Sequence, residues 1–493
     1  MPRGPEPGGS RRRGAARAVL EDGRVLGLAA APLCMSERGN TVEVATCGDD
    51  TFVLKAVPKV YDAQDHLVQL ENEGRALGRL KGCRGILQML EHPTTAPRFW
   101  RELPLGLGGG GGIGSGCLSP SAAANGPAAD VILLQFCEHK DLFSLLDPKS
   151  SRAKPFPERI VKRFARQLLD ALSVCHARGV AHRDIKLENI LIDASGHLQL
   201  ADFGLSHVRE SCSTQSKAFT LRRASSLSLC ESDSASDSDD DAVQSLDRDV
   251  GELSFDEAPD AAAAFGRGRQ GPADEKLLCT GHVGTVSYMA PEIIASKHAQ
   301  ERARAEGYDA PPPAVYDACK ADVWSLACVL FAAKLGRPPF DNALPSKGNW
   351  YYNRIYNSHR RGAAREKKGE DAASGPCSER NKFWFAHRNA FASAMAESSA
   401  EEAKDADAAP ASGEPDEPSE GFRSFCDAIF QHAPSKRPGP SELLRHPWLS
   451  GDDIADEAEA LNAIRDRLRA EQPKASEGAA GAQERKLGTE AGR

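Results

Sequence analysis

The sequence lacks the features that mark several common classes of protein. It contains no run of 18 or more apolar residues, so no transmembrane helix is expected. Its net charge is −8 rather than positive, which argues against general binding to nucleic acid or to an anionic membrane surface. The chain therefore reads as neither a membrane-spanning nor a nucleic-acid-coating protein.

Paired cysteines and an apolar leader are also missing. The 13 cysteines include no C-x-x-C pair, so the spacing of a zinc site or a disulfide framework is absent. We expect reduced thiols and a cytoplasmic or nuclear protein. Met1–Ala18 is basic but has no apolar segment, so we do not expect it to act as a secretory signal. We predict an unstructured basic segment over 1–24; a transit peptide or a nuclear-type basic patch remains open.

The remaining sequence alternates ordered blocks with low-complexity segments. Hydrophobic periodicity predicts paired strands, helices and a hairpin. These elements are strands Thr41–Ala45, Thr51–Val57 and Asp130–Leu134, helices Asp65–Lys81 and Pro157–His176, and the hairpin Ile190–Leu200. Biased composition predicts unstructured insertions near 101–129, 206–276, 360–376 and 396–419, and a charged helical or disordered tail over 450–493.

The segment His182–Asn189 carries the clearest chemical signal. His182-Arg183-Asp184 followed by Asn189 matches the H-R-D-x-x-x-x-N pattern of phosphoryl-transfer enzymes. Such transfer needs a carboxylate that orients the attacking hydroxyl and accepts its proton, and oxygen ligands for Mg²⁺. Asp184 suits the first role and Asn189 the second.

A second motif with an aspartate follows at a spacing that leaves room for one hairpin. Asp202-Phe203-Gly204 lies 18 residues after Asp184, and the predicted hairpin fits between the two motifs. Both carboxylates can therefore lie at the mouth of one cleft. Asp202 is the expected second ligand of Mg²⁺.

On these motifs the chain resembles a eukaryotic serine/threonine protein kinase from about Thr41 to Leu449. The resemblance implies an α+β, bilobal fold: a small antiparallel β lobe with one main helix, and a larger, mostly helical lobe. It assigns residues 25–449 to the kinase domain, interrupted by the insertions. It also implies ATP and Mg²⁺ as cofactors and protein substrates as partners.

The resemblance assigns further residues to the nucleotide. Lys55 ends a strand where the family holds the α- and β-phosphates, and Glu73, rather than Glu71, is its expected partner because Leu77 and Leu80 then fall on the buried side of the helix. Leu134 resembles the gatekeeper before a hinge. The implied cofactor-binding residues are Val42, Val53, Lys55, Leu134, Gln135, Cys137, Asp141, Leu191 and Asp202.

Three residues resemble structural positions of the family. Glu292, in Ala290-Pro291-Glu292, is expected to pair with Arg437 late in the domain. Asp322 resembles the buried aspartate that holds the backbone of the catalytic loop. Their order along the chain agrees with that of the family.

Lys186 indicates the substrate class, because serine/threonine kinases typically have lysine two residues after the catalytic aspartate. Glu188 and Asp141 are acids where kinases that prefer basic substrates bind an arginine, so we expect basic substrates. The sequences Ile185–Leu191 and Gly336–Asp341 most resemble those of the calcium/calmodulin-dependent kinase group. The tail after Trp448 is acidic, unlike a basic calmodulin target, so calmodulin is not an expected partner.

The glycine-rich loop of the family is not matched. The corresponding segment, Met35–Val42, contains a single glycine, Gly39. In the strand that carries Lys55, Val53 stands where the family usually has alanine. Because glycines let backbone N–H groups approach phosphates, their loss should weaken nucleotide binding or slow turnover. A pseudokinase scaffold that binds nucleotide weakly is therefore the alternative interpretation.

The segment between Gly204 and Gly284 is unusually long, at 79 residues. Arg183 beside the catalytic aspartate needs an anionic partner, which suggests control by a phosphate supplied by an upstream kinase. Thr280 and Ser225 are the candidate sites of phosphorylation. The acid-rich run Glu231–Asp241 could also block a groove for basic substrates.

Overall fold

The computed structural model describes residues 17–20, 24–29, 31–35, 41–58, 64–96, 98–100, 129–146, 155–210, 276–346, 348–366, 380–390, 417–451 and 453–471. Its early part forms an antiparallel sheet beside one long helix, α1 (Gln64–Arg79). The strands are β1 (Arg17–Val19), β2 (Val25–Leu28), β3 (Cys34–Met35), β4 (Thr41–Cys47), β5 (Asp50–Pro58), β6 (Met89–Ala96), β7 (Arg98–Trp100) and β8 (Ala129–Gln135).

The sheet curls back on itself. Its strand order is β6-β8-β5-β4-β2-β1-β7, with β3 paired to β4. The two end strands, β6 and β7, are consecutive in the chain and separated only by residue 97. Small and branched side chains fill the inside, among them Ala18, Leu26, Ala45, Leu54, Ala56, Val131 and Leu133.

The other face of the sheet carries the predicted nucleotide residues. Val42 lies opposite Lys55, and Val53 lies opposite both Val44 and Leu134 in the strand registers. Directly paired residues of antiparallel strands share a face, and alternate residues point to opposite faces. Val42, Val53, Lys55 and Leu134 therefore share the face that packs against α1 rather than the inside of the sheet.

The prediction of an unstructured segment through residue 24 is wrong for Arg17–Val19. This strand pairs with β2 on one side and with β7 on the other, and Ala18 is fully buried. A three-residue strand that buries one small side chain carries too short a pattern to detect in sequence. One of its two partner strands, β7, lies far along the chain, after α1 and β6.

A mostly helical lobe follows the sheet. Its helices are α2 (Glu158–Ala177), α3 (Pro291–Ala305), α4 (Ala318–Leu335), α5 (Trp350–Glu366), α6 (380–390), α7 (Glu420–Ile429), α8 (Pro440–Leu443) and α9 (Glu457–Glu471). Three strand pairs join them: β9 (Val180–Ala181) with β12 (His207–Val208), β10 (Ile190–Ile192) with β11 (Leu198–Leu200), and β13 (Leu278–Cys279) with β14 (Tyr316–Asp317). Nearly all of α4 is buried, which makes it the central helix of this lobe.

The predicted bilobal α+β architecture is confirmed, as are the early strands, the two helices and the hairpin. All four predicted insertions need a boundary corrected, and Ala129 is already the first residue of β8. His207–Val208 already forms a strand, α5 continues to Glu366, and Ser419 caps α7 by accepting a hydrogen bond from the Phe422 N–H. Most of each predicted insertion, namely 101–128, 211–275, 367–376 and 396–416, lies outside the described residues. None of the described helices combines the length and the apolar character required to span a bilayer.

Helix α9, beyond the predicted kinase domain, packs onto the helical lobe. The Arg467 guanidinium lies 3.6 Å from the ring centroid of Phe156 and donates hydrogen bonds to the carbonyls of Leu145 (3.3 Å) and Pro155 (3.0 Å). Burial lowers the pKa of Arg467 to about 10. The charge stays, held by an aromatic face and carbonyl oxygens. The predicted charged tail is thus an ordered helix between Glu457 and Glu471.

We predict that Arg467→Ala lowers the free energy of unfolding by about 2 kcal/mol or more, because it removes a desolvated cation–π contact and two carbonyl partners. Urea unfolding of the full chain measures this. Arg469→Ala is the matched control, since that side chain is 77% exposed on the same helix. Equal stability of the two variants would contradict the docking of α9.

Candidate active site

Lys55 lies between two carboxylates at the centre of the site. Its Nζ is 2.7 Å from Glu73 Oε2 on α1 and 2.9 Å from Asp202 Oδ1, which follows β11. Glu73 is 1% exposed, whereas half of the Asp202 side chain is exposed. Glu73, not Glu71, is therefore the residue that reaches Lys55, and a single ammonium joins the sheet, the helix and the helical lobe.

The charges of this cluster depend on one another. Burial alone would lower the pKa of Lys55, but the carboxylates of Glu73 and Asp202 raise it above its ordinary value. Burial raises the pKa of Glu73 despite the neighbouring ammonium. For Asp202, the ammonium of Lys55 overcomes the effect of burial and lowers the pKa. Lys55 thus stays charged, and Asp202 stays ionised at neutral pH.

Asp184 is a buried carboxylate surrounded by donors. Its Oδ1 accepts from the Thr285 N–H at 2.9 Å and from the Thr285 hydroxyl at 3.0 Å. Its Oδ2 lies 2.8 Å from Lys186 Nζ and accepts from Asn189 Nδ2 at 3.2 Å. The structure therefore brings together Asp184, Lys186 and Asn189 as the sequence predicted, and adds Thr285.

Asp322 on α4 holds the backbone of the catalytic loop, His182–Asn189. Asp322, 1% exposed, accepts from the N–H of His182 at 2.8 Å and of Arg183 at 2.7 Å. His176 Nε2 lies 2.9 Å from the same carboxylate. Arg183 has φ of 70°, a strained conformation for a residue with a side chain, so these two bonds hold a turn that would not persist alone.

Two further bonds join the catalytic loop to the segment that carries Asp202. His182 Nε2 lies 2.9 Å from the carbonyl of Ala201, and the Ala201 N–H donates to the Asn189 carbonyl at 2.9 Å. His182 also packs against Phe203, with ring centroids 4.6 Å apart. The loops that present Asp184 and Asp202 are therefore held to each other.

The side chain of Arg183 reaches the candidate regulatory segment. It donates to the Tyr316 hydroxyl at 3.1 Å and to the Thr280 carbonyl at 3.1 Å. Thr280 itself is exposed. Ser225, the other candidate, lies outside the described residues.

Glu292 and Arg437 form the expected ion pair. Arg437 donates to both carboxylate oxygens, at 2.8 and 2.7 Å, and its side chain is fully buried. Its guanidinium also lies 4.9 Å from the ring centroid of Trp324. This pair joins the start of α3 to the segment between α7 and α8, and Arg437 also contacts the central helix α4 through Trp324.

The other predicted nucleotide residues divide between the sheet and the hairpin. Leu134 and Gln135 end β8, and Cys137 follows in the link to the helical lobe, where burial raises its thiol pKa to about 12. Leu191 lies on β10 and bridges to Asp141. Asp141 accepts from the N–H of Ser144 at 2.8 Å and from its hydroxyl at 2.9 Å, a turn-capping contact that the sequence did not predict.

Oxygen ligands for a divalent metal are present among the residues predicted to bind it. Asp202 offers an ionised carboxylate. Asn189 donates from its amide nitrogen to Asp184, so its amide oxygen remains an acceptor. Carboxylate and amide oxygens are hard ligands suited to Mg²⁺.

Comparison with known proteins agrees with this geometry. A model of the protein kinase domain matches residues 39–225 and 262–449. The chain belongs to the protein kinase family. Kinase domains in general use ATP and a divalent metal. The match includes residues on both sides of the long segment after Asp202.

Several curated relatives are named serine/threonine or SNF1-like kinases. CBL-interacting serine/threonine-protein kinase 16 of Arabidopsis thaliana is 27% identical over 42% of this chain and 28% of its own length. CBL-interacting protein kinase 31 of Oryza sativa subsp. japonica is 43% identical over 43% and 29%. NUAK family SNF1-like kinase 2 of Rattus norvegicus is 44% identical over 16% and 12%. The chain spans less than a third of the length of these relatives.

Sequence reasoning missed the partners that hold the catalytic groups. The sequence Gly284–Tyr288 resembles the substrate loop of serine/threonine kinases, but its pattern does not predict that Thr285 holds Asp184. His176 and Tyr316 carry no comparable signal. Asn72 was likewise overlooked, although it adjoins Glu73. Each acts from a distant part of the chain, so only proximity to the named motif could have suggested Asn72.

We predict that Glu292→Ala lowers the free energy of unfolding by roughly 3–5 kcal/mol, because it leaves the Arg437 guanidinium buried without its carboxylate. Chemical denaturation measures the change. The control is Glu306→Ala at the end of the same helix, whose exposed pair with Arg302 should contribute less than about 0.5 kcal/mol. A small effect of Glu292→Ala would show that the pair is not a structural anchor.

Proposed function

We propose that the chain transfers the γ-phosphate of ATP to serine or threonine hydroxyls of proteins, with Asp184 as the proton acceptor. One observation carries the proposal. A buried carboxylate, oriented by four contacts, is joined through Ala201 to the segment that presents Asp202 to Lys55. Phosphoryl transfer depends chiefly on such positioning and on charge neutralisation.

Asp184 is suited to orient an attacking hydroxyl. The Thr285 N–H and hydroxyl hold one oxygen, while Lys186 and Asn189 hold the other. The carboxylate is thereby fixed in direction before substrate binds. As the hydroxyl oxygen bonds to the γ-phosphorus of ATP, the bond from that phosphorus to the bridging oxygen breaks and ADP leaves. The proton of the hydroxyl passes to this carboxylate.

Lys55, Asn189 and Asp202 are proposed to hold the nucleotide and Mg²⁺. Lys55 would contact the phosphates while it keeps Glu73, and the oxygens of Asn189 and Asp202 would bind the metal. Bound Mg²⁺ supplies charge neutralisation on the phosphate oxygens. Val42, Val53 and Leu134, which share one face of the sheet, would cover the adenine together with Leu191 and the hinge residues Gln135 and Cys137.

Lys186 and Thr285 support hydroxyl acceptors on serine or threonine. Lys186 Nζ lies 3.1 Å from the Thr285 hydroxyl, which joins the lysine typical of this class to the substrate loop. Glu188 is exposed and available to a basic substrate, whereas both oxygens of Asp141 already cap Ser144. We therefore propose a preference for basic substrates centred on Glu188, in the cytoplasm or nucleus, with an upstream kinase acting on Thr280.

A pseudokinase scaffold is the second candidate, and the single glycine in Met35–Val42 favours it. Lys55 in contact with Glu73 and Asp202 opposes it, as does a separate carboxylate, Asp184, that is oriented by donors. A protein freed from catalysis has no need to keep all four residues. Mg²⁺-dependent stabilisation by ATP is expected of the enzyme. Thermal unfolding with ATP, with and without Mg²⁺, separates the two.

We predict that the pure protein transfers radiolabelled phosphate to a basic serine peptide, and that Asp184→Asn lowers kcat by at least ~100-fold, since it removes the proton acceptor. Asp309→Asn, at an exposed position, is the matched control and should leave kcat unchanged. Absence of transfer by the wild-type protein, with and without an activating kinase, would refute the proposal in favour of the scaffold.

A further inference from the structure

Asn72 on α1 contacts the backbone that follows Asp202. Its amide nitrogen lies 2.7 Å from the Ser206 carbonyl, 3.0 Å from the Gly204 carbonyl and 3.4 Å from the Phe203 carbonyl. The Ser206 hydroxyl is 3.3 Å away. One amide nitrogen is thus within hydrogen-bond distance of three backbone carbonyls of the same turn.

The chemistry of the neighbours determines which way the amide of Asn72 faces. Carbonyl oxygens only accept hydrogen bonds, so the group that faces Gly204 and Ser206 must be the NH₂. On its other side, Arg75 donates to Asn72 Oδ1 at 3.0 Å, and a guanidinium only donates. Both hydrogens of the NH₂ are accounted for by the two shortest contacts.

These contacts cap a short 3-10 turn over Phe203–Leu205. The turn closes through one bond, from the Ser206 N–H to the Phe203 carbonyl at 3.0 Å. A turn this short leaves carbonyls at its end that need other donors. Asn72 supplies those donors to Gly204 and Ser206.

The start of the same turn is strained. Asp202 precedes it with φ of 60°, in the left-handed region that residues other than glycine rarely adopt. Such a conformation persists only where the surroundings fix it. Asn72 fixes the far end of the turn, and with it the direction in which Asp202 presents its carboxylate to Lys55.

Two adjacent residues of α1 therefore act on the site around Lys55. Glu73 contacts the ammonium directly, and Asn72 sets the segment of Asp202. Building on the proposed function, we propose that Asn72 is a positioning residue that couples the placement of α1 to the metal-binding geometry of Asp202. It does not touch nucleotide or metal; it acts through the backbone of Gly204 and Ser206.

Two variants separate this role from general stability. Asn72→Ala removes the amide, and Asn72→Asp keeps its shape but replaces the donors by acceptors that face carbonyl oxygens. Both should free the turn while the protein remains folded. Glu71→Gln, exposed one residue earlier on α1, is the matched control.

Hydrogen exchange of the nucleotide-free protein provides a readout that needs no activity. In both Asn72 variants the Ser206 N–H should exchange about tenfold faster than in wild type, while amides of α4 keep the wild-type rate. Unchanged exchange at Ser206, or equal acceleration in α4, would overturn the proposal. Because no phosphate is transferred, this result stands even if the proposed function fails.

A binding titration tests the link to the metal. We expect the free Mg²⁺ concentration that gives half-maximal binding of a fluorescent ATP analogue to rise about fivefold in both variants, the equivalent of ~1 kcal/mol. Glu71→Gln should match wild type. An unshifted Mg²⁺ midpoint in Asn72→Ala, or wild-type behaviour of Asn72→Asp, would overturn the positioning role.

Discussion

The contact on which this structure depends is that of the Lys55 ammonium with two carboxylates from different parts of the fold. Lys55 belongs to the sheet, Glu73 to α1 and Asp202 to the helical lobe. A buried carboxylate such as Glu73 is costly unless a cation accompanies it. The sheet, α1 and the helical lobe are therefore joined at one ammonium group. Loss of any of the three side chains would change the electrostatic environment of the other two.

Buried charged groups of the helical lobe are likewise paired, both at the catalytic loop and at the start of α3. Asp322 holds the backbone of His182 and Arg183, and Arg437 is buried against Glu292. Asp322 thereby holds the loop that carries Asp184, and the Arg437–Glu292 pair holds the start of α3. Rigid support beneath a polar site is what allows a single carboxylate to be oriented by hydrogen bonds rather than by substrate.

The contact between Asp184 and Asn189 could be predicted from sequence because the two residues lie five positions apart. The pairing of Lys55 with Glu73 was predictable because helical periodicity fixes the buried side of α1. The closing strand Arg17–Val19 and the capping role of Asn72 could not be, since both depend on partners far away in the chain. For Asp141, by contrast, the resemblance suggested a contact with the nucleotide, whereas in the structure its carboxylate accepts from Ser144, three residues later.

The most direct test of this account is a crystal structure of the protein with Mg²⁺ and a non-hydrolysable ATP analogue. The account predicts that Lys55 keeps Glu73 and contacts the α- and β-phosphates, with the metal bound by Asp202 and Asn189. The γ-phosphate should lie toward Asp184. A nucleotide bound without contact to Lys55, or a metal bound away from Asp202 and Asn189, would contradict the proposed assignment of the site.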